Sequence, residues 1–410
     1  MTANFKISAL IAISVAMLGA GENWMLHKYI FRQDLQDQQD FFEGKNLNPV
    51  HPVNPVQKYT CATSYLVAKP KLSEYAFFLG KISELAPAAN VFPYEVNAPL
   101  FSDYAEKARF IFLPEGQTMV YNAEHAFEFP NGAVIIKNFF YWNDARAPEK
   151  GRRILETRLL VKEVKGWKAL EYLWNAEQTD AFLEVAGAAF PVSWIDEKGK
   201  KQSIEYIAPN LNQCKGCHSY DGQFVPIGIT ARQLNREENT ENQLLLWQKS
   251  GKMSLPEEFN AATAPRLTDY RLTNHPSYVK TSLPAKAWQA GAGKQSTNHQ
   301  LTNHLSAAAR SYLDANCAHC HNPHGPANTS GMFLEIGQTD LERLGVGKPP
   351  VAAGRGSGNR RFGIVPGKPN ESILVFRMEN DDPGIRMPEL GRQILHREGV
   401  DLIKAWIREM

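Results

Sequence analysis

The chain has 410 residues, with 45 Lys and Arg against 43 Asp and Glu, a formal net charge of +2. So even a balance builds no polycationic field for nucleic acid. A content of 43% hydrophobic and 21% charged residues describes packed globular protein, not a disordered or fibrous chain.

At the start, Lys6 precedes an uncharged run over residues 7–21, rich in Ala, Ile, Leu and Ser. A basic residue before a short apolar run has the form of a secretory signal, and the run falls short of the ~20 residues that a spanning helix needs. The expectation is a signal peptide over 1–21. An uncleaved anchor is the alternative, because Leu18-Gly19-Ala20 is only a partial small-x-small cleavage site. Residues 22–70 are polar and broken by Pro49, Pro52 and Pro55, which reads as a tether or irregular arm. Cys61 within it is expected to be a small apolar residue without a functional role.

From 71 to 205 the character changes to β-branched and aromatic runs cut by Gly and Pro, predicting a β-rich, sandwich-like domain. Residues 110–113, the turn Pro114-Glu115-Gly116 and residues 118–121 read as strand, turn and strand. Further strands are expected over 133–141 and 153–164, with Lys165-Gly166 turning the chain into 167–174. Trp142, Trp167 and Trp174 are expected in the core. Asp103, Lys107 and Arg109 form a polar patch expected to face solvent.

Residues 206–300 hold Cys214, Cys217 and His218; residues 301–410 hold Cys317, Cys320 and His321. Each set spells Cys-x-x-Cys-His, the spacing of covalent haem attachment: each thiol adds to a vinyl group and the trailing imidazole ligates iron. Paired Cys-x-x-Cys segments also serve structural zinc, and a single pair beside a strand–helix unit would suggest redox thiols. With only 11 His in the chain, a His trailing both pairs favours two covalently bound haem c groups. Such haem attachment takes place outside the bacterial inner membrane, which agrees with export to the periplasm.

Both haem regions are expected to be mainly α-helical and cytochrome c-like, making the whole chain multidomain α+β. In the first, a helix is predicted over 242–249; Met253 is a candidate sixth ligand, His275 another, and an empty position is allowed. In the second, Leu305, Ala308, Ala309, Tyr312 and Leu313 share one helical face, as do Val400, Ile403 and Ile407 near the end. Met387, followed by Pro388 on a loop before the last helix, is the expected sixth ligand there, with Met378 its competitor. His319 and His324 are expected at the surface or behind His321. Arg355, Arg360 and Arg361 belong to a basic Gly-rich loop, with propionate pairing as an alternative.

These residues resemble a family of exported bacterial dihaem c-type cytochromes, most of whose members carry the description conserved hypothetical protein. The resemblance runs from about residue 72 to the end. It lies in Asn97-Ala98-Pro99-Leu100-Phe101-Ser102-Asp103, in Glu156-Thr157-Arg158-Leu159-Leu160, and in Pro226-Ile227-Gly228 leading to Arg232-Gln233-Leu234-Asn235. It continues through Asn316 to Pro323 around the second motif, and Val365-Pro366-Gly367-Lys368-Pro369 with Met387-Pro388 is similar to cytochrome c modules beside dehydrogenases. The resemblance implies two-haem redox function in the periplasm. The expected role is single-electron transfer between periplasmic donor and acceptor proteins, without nucleic acid, and at a membrane only if the leader is retained. The alternatives are a peroxidase-like enzyme with an open first haem and an electron-accepting subunit of a periplasmic dehydrogenase.

Overall fold

The computed structural model describes residues 67–238, 240–272 and 297–410, all within one unit that begins at Thr63. The expected signal segment, the arm as far as residue 66, Cys61 and His275 lie outside the described residues. Among the described residues no helix is long and apolar enough to cross a membrane.

A β-rich region comes first. Its six-stranded antiparallel sheet runs in the order β1 (Val91–Pro93), β2 (Glu106–Phe112), β4 (Val134–Trp142), β5 (Arg152–Glu163), β6 (Gly166–Trp174), β7 (Ala181–Glu184). Val134, Ile135 and Ile136 are all wholly buried. Successive side chains of a strand point to opposite faces, so such a run belongs to a central strand covered on both sides. The predicted turn at Lys165-Gly166 is present, with Glu163 paired to Gly166 across a two-residue connection.

The predicted partner of β2 is different. Residues 110–113 and 118–121 do not form a hairpin: β3 (Met119–Val120) pairs in parallel with Met253–Ser254, while β2 takes β1 and β4 as neighbours. After the turn at Gly116 the chain leaves the sheet, and Met119 is buried in a layer shared with later residues. Periodicity reports a strand but not its partner.

One sheet face is covered by residues 72–91, with Leu72, Phe77, Phe78 and Val91 packed on Phe110, Ile136, Ile154, Leu159 and Tyr172. The opposite face carries two apolar clusters. Ile111, Ile135 and Leu160 pack with Ile229, Leu234, Leu244, Trp247 and Met253; Phe139, Tyr141 and Leu155 pack under the hairpin of β8 (Ala188–Ile195) and β9 (Lys201–Ala208). Trp142 and Trp174 border the first of these layers and Trp167 the second, the packing role expected of them.

Between those two clusters lies a charged row. Arg109 pairs across to Lys137, Lys137 to Arg158 and Arg158 to Glu171, one residue from each of four strands at one register level. The level on one side, Ile111–Ile135–Leu160–Ala169, is apolar throughout.

The expectation of two mainly α-helical haem regions is not met. Among the described residues there are seven α-helices, and the region after β9 contains only short ones: α1 (Leu211–Cys217), α2 (Ala231–Leu234) and α3 (Gln243–Lys249). Its apolar side chains share a core with the sheet rather than forming one of their own. Pro and Gly punctuation prevents long helices there, so the segment gains burial by lying on a preformed face.

The C-terminal region follows expectation more closely. α4 (Thr297–Leu313) presents Ala308, Ala309, Tyr312 and Leu313, and α7 (Arg397–Arg408) presents Val400, Ile403, Trp406 and Ile407, to one shared core. α5 (Leu341–Leu344) and α6 (Ile373–Met378) complete it, with Leu344, Leu374, Val375 and Met378 buried. The two long helices touch where Gly399 faces the Tyr312 ring: a Cβ there would lie 2.4 Å from ring atoms.

Residues 97–105 join the parts. Gln233 brackets Ala98, accepting from its N–H and donating to its carbonyl, both at 2.9 Å, and Asn97 Nδ2 donates to the carbonyls of Arg232 and Asn235. The Phe101 N–H donates to Asn316 Oδ1 at 2.7 Å. Asp103 Oδ1 accepts the N–H groups of Gln393 and Ile394 at 2.7 and 2.9 Å. Asp103 and Arg109 are 5% and 8% exposed, so the polar patch is an internal joint and not the solvated face that was expected. The pattern of charges could not show that backbone donors from position 393 would arrive to be satisfied.

Two stability outcomes follow. Gly399→Ala gains up to about 1 kcal/mol of helix propensity but forces the Tyr312 ring aside, a strain of about 1–3 kcal/mol; a net loss in denaturant titration is expected. Asp103→Ala strands two part-buried N–H donors and should destabilise the fold by about 1–3 kcal/mol, with Asp103→Asn losing less.

Candidate functional site

The first Cys-x-x-Cys-His closes a capped helix. Asn210 accepts from the Gln213 N–H while the Gln213 side chain returns to the Asn210 N–H, a reciprocal cap that starts α1. Cys214 and Cys217 follow on successive turns and His218 ends the helix. A two-residue turn at Asp221 and Gly222, both with positive φ, then folds Ser219–Tyr220 onto Gln223–Phe224. This lays the Phe224 ring flat on His218, with centroids 4.9 Å apart and planes 3° from parallel.

His218 Nδ1 lies 2.7 Å from the Val225 carbonyl. A carbonyl only accepts, so the proton is on Nδ1 and the lone pair is on Nε2. Burial, and then the charge of Lys137, pull this imidazole down to about 3, so it is neutral near pH 7.

The second motif repeats these features in another setting. α4 runs into a π-helical turn, Asp314–Ala318, which carries Cys317; Cys320 and His321 follow. Asp314 anchors the turn, accepting from Arg232 Nε at 3.0 Å and from the Ile336 N–H at 2.9 Å. His321 Nδ1 faces the Met332 carbonyl at 3.2 Å, again fixing Nε2 as the free nitrogen. Burial lowers its pKa as well.

The two motifs meet. Cys217 Sγ, Cys320 Sγ and a ring nitrogen of His319 all lie within 4.8 Å of one another, and Cys320 Sγ is 3.8 Å from the Gly216 carbonyl. A second tie joins the adjacent turns: His324 stacks on Tyr220 at 4.8 Å, pairs with the Asp221 carboxylate at 2.9 Å and accepts the Asp221 N–H through its carbonyl. The four motif cysteines are free thiols. Burial pushes Cys214 up to about 11 and Cys317 up to about 12. At the junction, the Cys320 thiol and then His319 draw the Cys217 thiol down, while Cys320 goes up.

Sequence reasoning placed His319 behind the second motif or at the surface. The structure puts it between the motifs, half-buried, its Nδ1 enclosed without a hydrogen-bond partner. His324 is the surface residue expected, with a bridging role that spacing along the chain could not reveal.

Of the candidate methionines, Met253 is 2% exposed within the cluster of Met119, Leu244, Trp247 and Leu255, which accounts for it as a packing residue. Met378 is likewise enclosed, in the C-terminal core. Met387 differs: it is half-buried on a loop held by Arg392, whose guanidinium donates to the carbonyls of Met387, Met378, Arg377 and Asn380. The same loop reaches the first motif, since a Cβ on Gly216 would sit 3.2 Å from Leu390 Cδ1. In the Gly-rich loop, Arg355 pairs with Asp382 at 3.1 Å, and Arg360 lies over the Phe376 ring while donating to the Asn370 carbonyl.

Neither a family model, nor a curated protein, nor a solved structure matches this chain. Functional argument therefore rests on the site itself. Its donor set suits the groups inferred from the motifs: two neutral imidazoles with Nε2 free, each preceded by two unpaired thiols.

The meeting of the motifs is open to a direct chemical check. In the double variant Cys214→Ser, Cys317→Ser, made without haem attachment, mild thiol oxidation should join Cys217 to Cys320 and give one cross-linked peptide pair on digestion. Failure to cross-link them would contradict the observed approach.

Proposed function

We propose that this protein is an exported dihaem c-type cytochrome that passes single electrons between periplasmic redox partners. The observation that carries the reading is the matched preparation of His218 and His321. Each follows a Cys-x-x-Cys pair, each is fixed through Nδ1 by a backbone carbonyl, and each is held neutral by burial. An imidazole that would hold iron needs that tautomer and that protonation state, and a hydrogen bond on the far nitrogen orients the ring and raises its basicity.

Haem iron, when bound, supplies the one-electron chemistry; the chain supplies tethering, orientation and surroundings. Cys214 and Cys217 would tether one group, with His218 as its ligand. Cys317 and Cys320 would tether the other, with His321 as its ligand. Met387 would supply a thioether to hold the second group, since Arg392 positions its loop and Met378 is committed to packing. Thioether ligation raises the reduction potential relative to a second imidazole. The β-rich region, joined to both motif regions through residues 97–105, would act as scaffold or docking surface for a donor or acceptor, a periplasmic dehydrogenase among them.

The trio Cys217, His319 and Cys320 favours a second reading. Two thiolates and an imidazole are a zinc-type donor set, and a zinc ion would tie the two motifs without any porphyrin.

Mass and metal analysis of protein made in a bacterium competent for c-type maturation separates the two readings. The cytochrome reading expects two porphyrins per chain by pyridine haemochrome, and one after Cys214→Ser with Cys217→Ser. Bare polypeptide mass with stoichiometric zinc would establish the alternative. Met387→Ala should abolish the sulfur-to-iron charge-transfer band and leave the second haem high-spin or water-bound. A high-spin component at the first haem in the wild type would instead support a peroxidase-like enzyme.

A further inference from the structure

The charged row on the sheet is costly to build. Arg109, Lys137 and Arg158 stand directly opposite one another on adjacent strands, where like charges repel. It lies between two apolar clusters of the same face, Arg109 buried and Lys137 and Arg158 only partly exposed, where unneutralised charge loses part of its solvation. Arg109 has Glu95 at 3.2 Å, and Arg158 has Glu156. Lys137 has no carboxylate among the described residues; its one hydrogen bond goes to the Ile227 carbonyl at a long 3.4 Å. Arg158 Nε is enclosed and unpartnered. Lys107, one level along the strand, is bonded to the Leu100 carbonyl and lies over the Phe139 ring; burial and then Arg109 draw its ammonium well down, as they draw Lys137 down to about 7.

Glu171, which faces Arg158, does not supply the counter-charge that Lys137 lacks. Burial, and then Glu156, push Glu171 up, so that its enclosed carboxyl holds a proton instead of a negative charge. Proteins retain such local conflicts where a ligand resolves them.

The row also lies beside the first motif. Loop residues 225–227 supply both the carbonyl that holds His218 and the one that holds Lys137. The sites are joined by three residues of chain.

We propose that Arg109, Lys137 and Arg158 form an anion-binding row beside the first Cys-x-x-Cys-His motif, taking a carboxylate or small oxyanion between Lys137 and Arg158. Two sources share that chemistry: the propionates of the porphyrin attached at Cys214 and Cys217, or a free anion that enters the site. The propionate source rests on the two-haem reading, and the free-anion source does not.

The experiment uses the mature full chain, with porphyrin counted first, so that a failure of the two-haem reading is recognised before the row is tested. Redox titration then compares the wild type with Lys137→Met and Lys137→Arg. If propionates occupy the row, Lys137→Met keeps two haems but lowers the first midpoint, by about tenfold in the reduction equilibrium, or about 59 mV for one electron. Its midpoint also becomes steeper with pH over roughly pH 5–8, because a carboxylate that has lost its cation takes up a proton on reduction. Lys137→Arg restores both properties. If a free anion occupies the row, sulfate or succinate binds the wild-type chain saturably by isothermal titration calorimetry, whether or not porphyrin is counted, and Lys137→Met abolishes that response.

A Lys137→Met protein with two haems, an unchanged midpoint and pH slope, and the wild-type response to both anions overturns the proposal. Should that variant fail to accumulate, Arg109→Gln, at the end of the row, carries the same comparison.

Discussion

The structure depends on how residues 97–105 dispose of their polar groups. An irregular, largely buried segment between packed regions must pair its N–H and C=O groups or lose their hydration. Here the partners come from both sides: the side chain of Gln233 on the first motif's side, and Asn316 with the backbone of residues 393 and 394, met by the Asp103 carboxylate, on the second. Each bond contributes modestly, about 1 kcal/mol, and together they span both sides of the segment. The segment therefore holds the three regions in one relative arrangement, and the meeting of Cys217 with Cys320 follows from it.

The two motifs occupy different physical environments. The second belongs to a helical core of its own, entered through α4 and closed by α7. The first is carried by a short capped helix laid on the sheet, and its surroundings include the charged row and not only apolar side chains. Two pentapeptides of the same Cys-x-x-Cys-His pattern thus acquire unlike electrostatic settings. Were both motifs to hold haem as proposed, burial and nearby charge would set the two groups at different potentials.

Much of the site was legible because its chemistry is local. Cys-x-x-Cys-His is complete within five residues, so Cys214, Cys217, His218, Cys317, Cys320 and His321 could be named without knowing the fold. Helical faces around Tyr312 and Ile403, and the strands of the sheet, were legible for the same reason: their periodicity is a property of a few consecutive residues. The helical content of the first motif region was misread. A trailing His and a haem-type spacing say nothing about the elements around them, and residues 229–255 found their burial on the sheet.

What the sequence by itself determined is the set of reactive groups and the short-range elements that carry them. Only the tertiary structure decided which of these groups are neighbours. The approach of Cys217 to Cys320 spans 103 positions of the chain, and the row Arg109–Lys137–Arg158–Glu171 takes one residue from each of four strands. Strand register and the docking of helices on a sheet arise from the packing of distant side chains, so an alternating charge such as Lys137 looks the same in the sequence whether it faces water or an enclosed site.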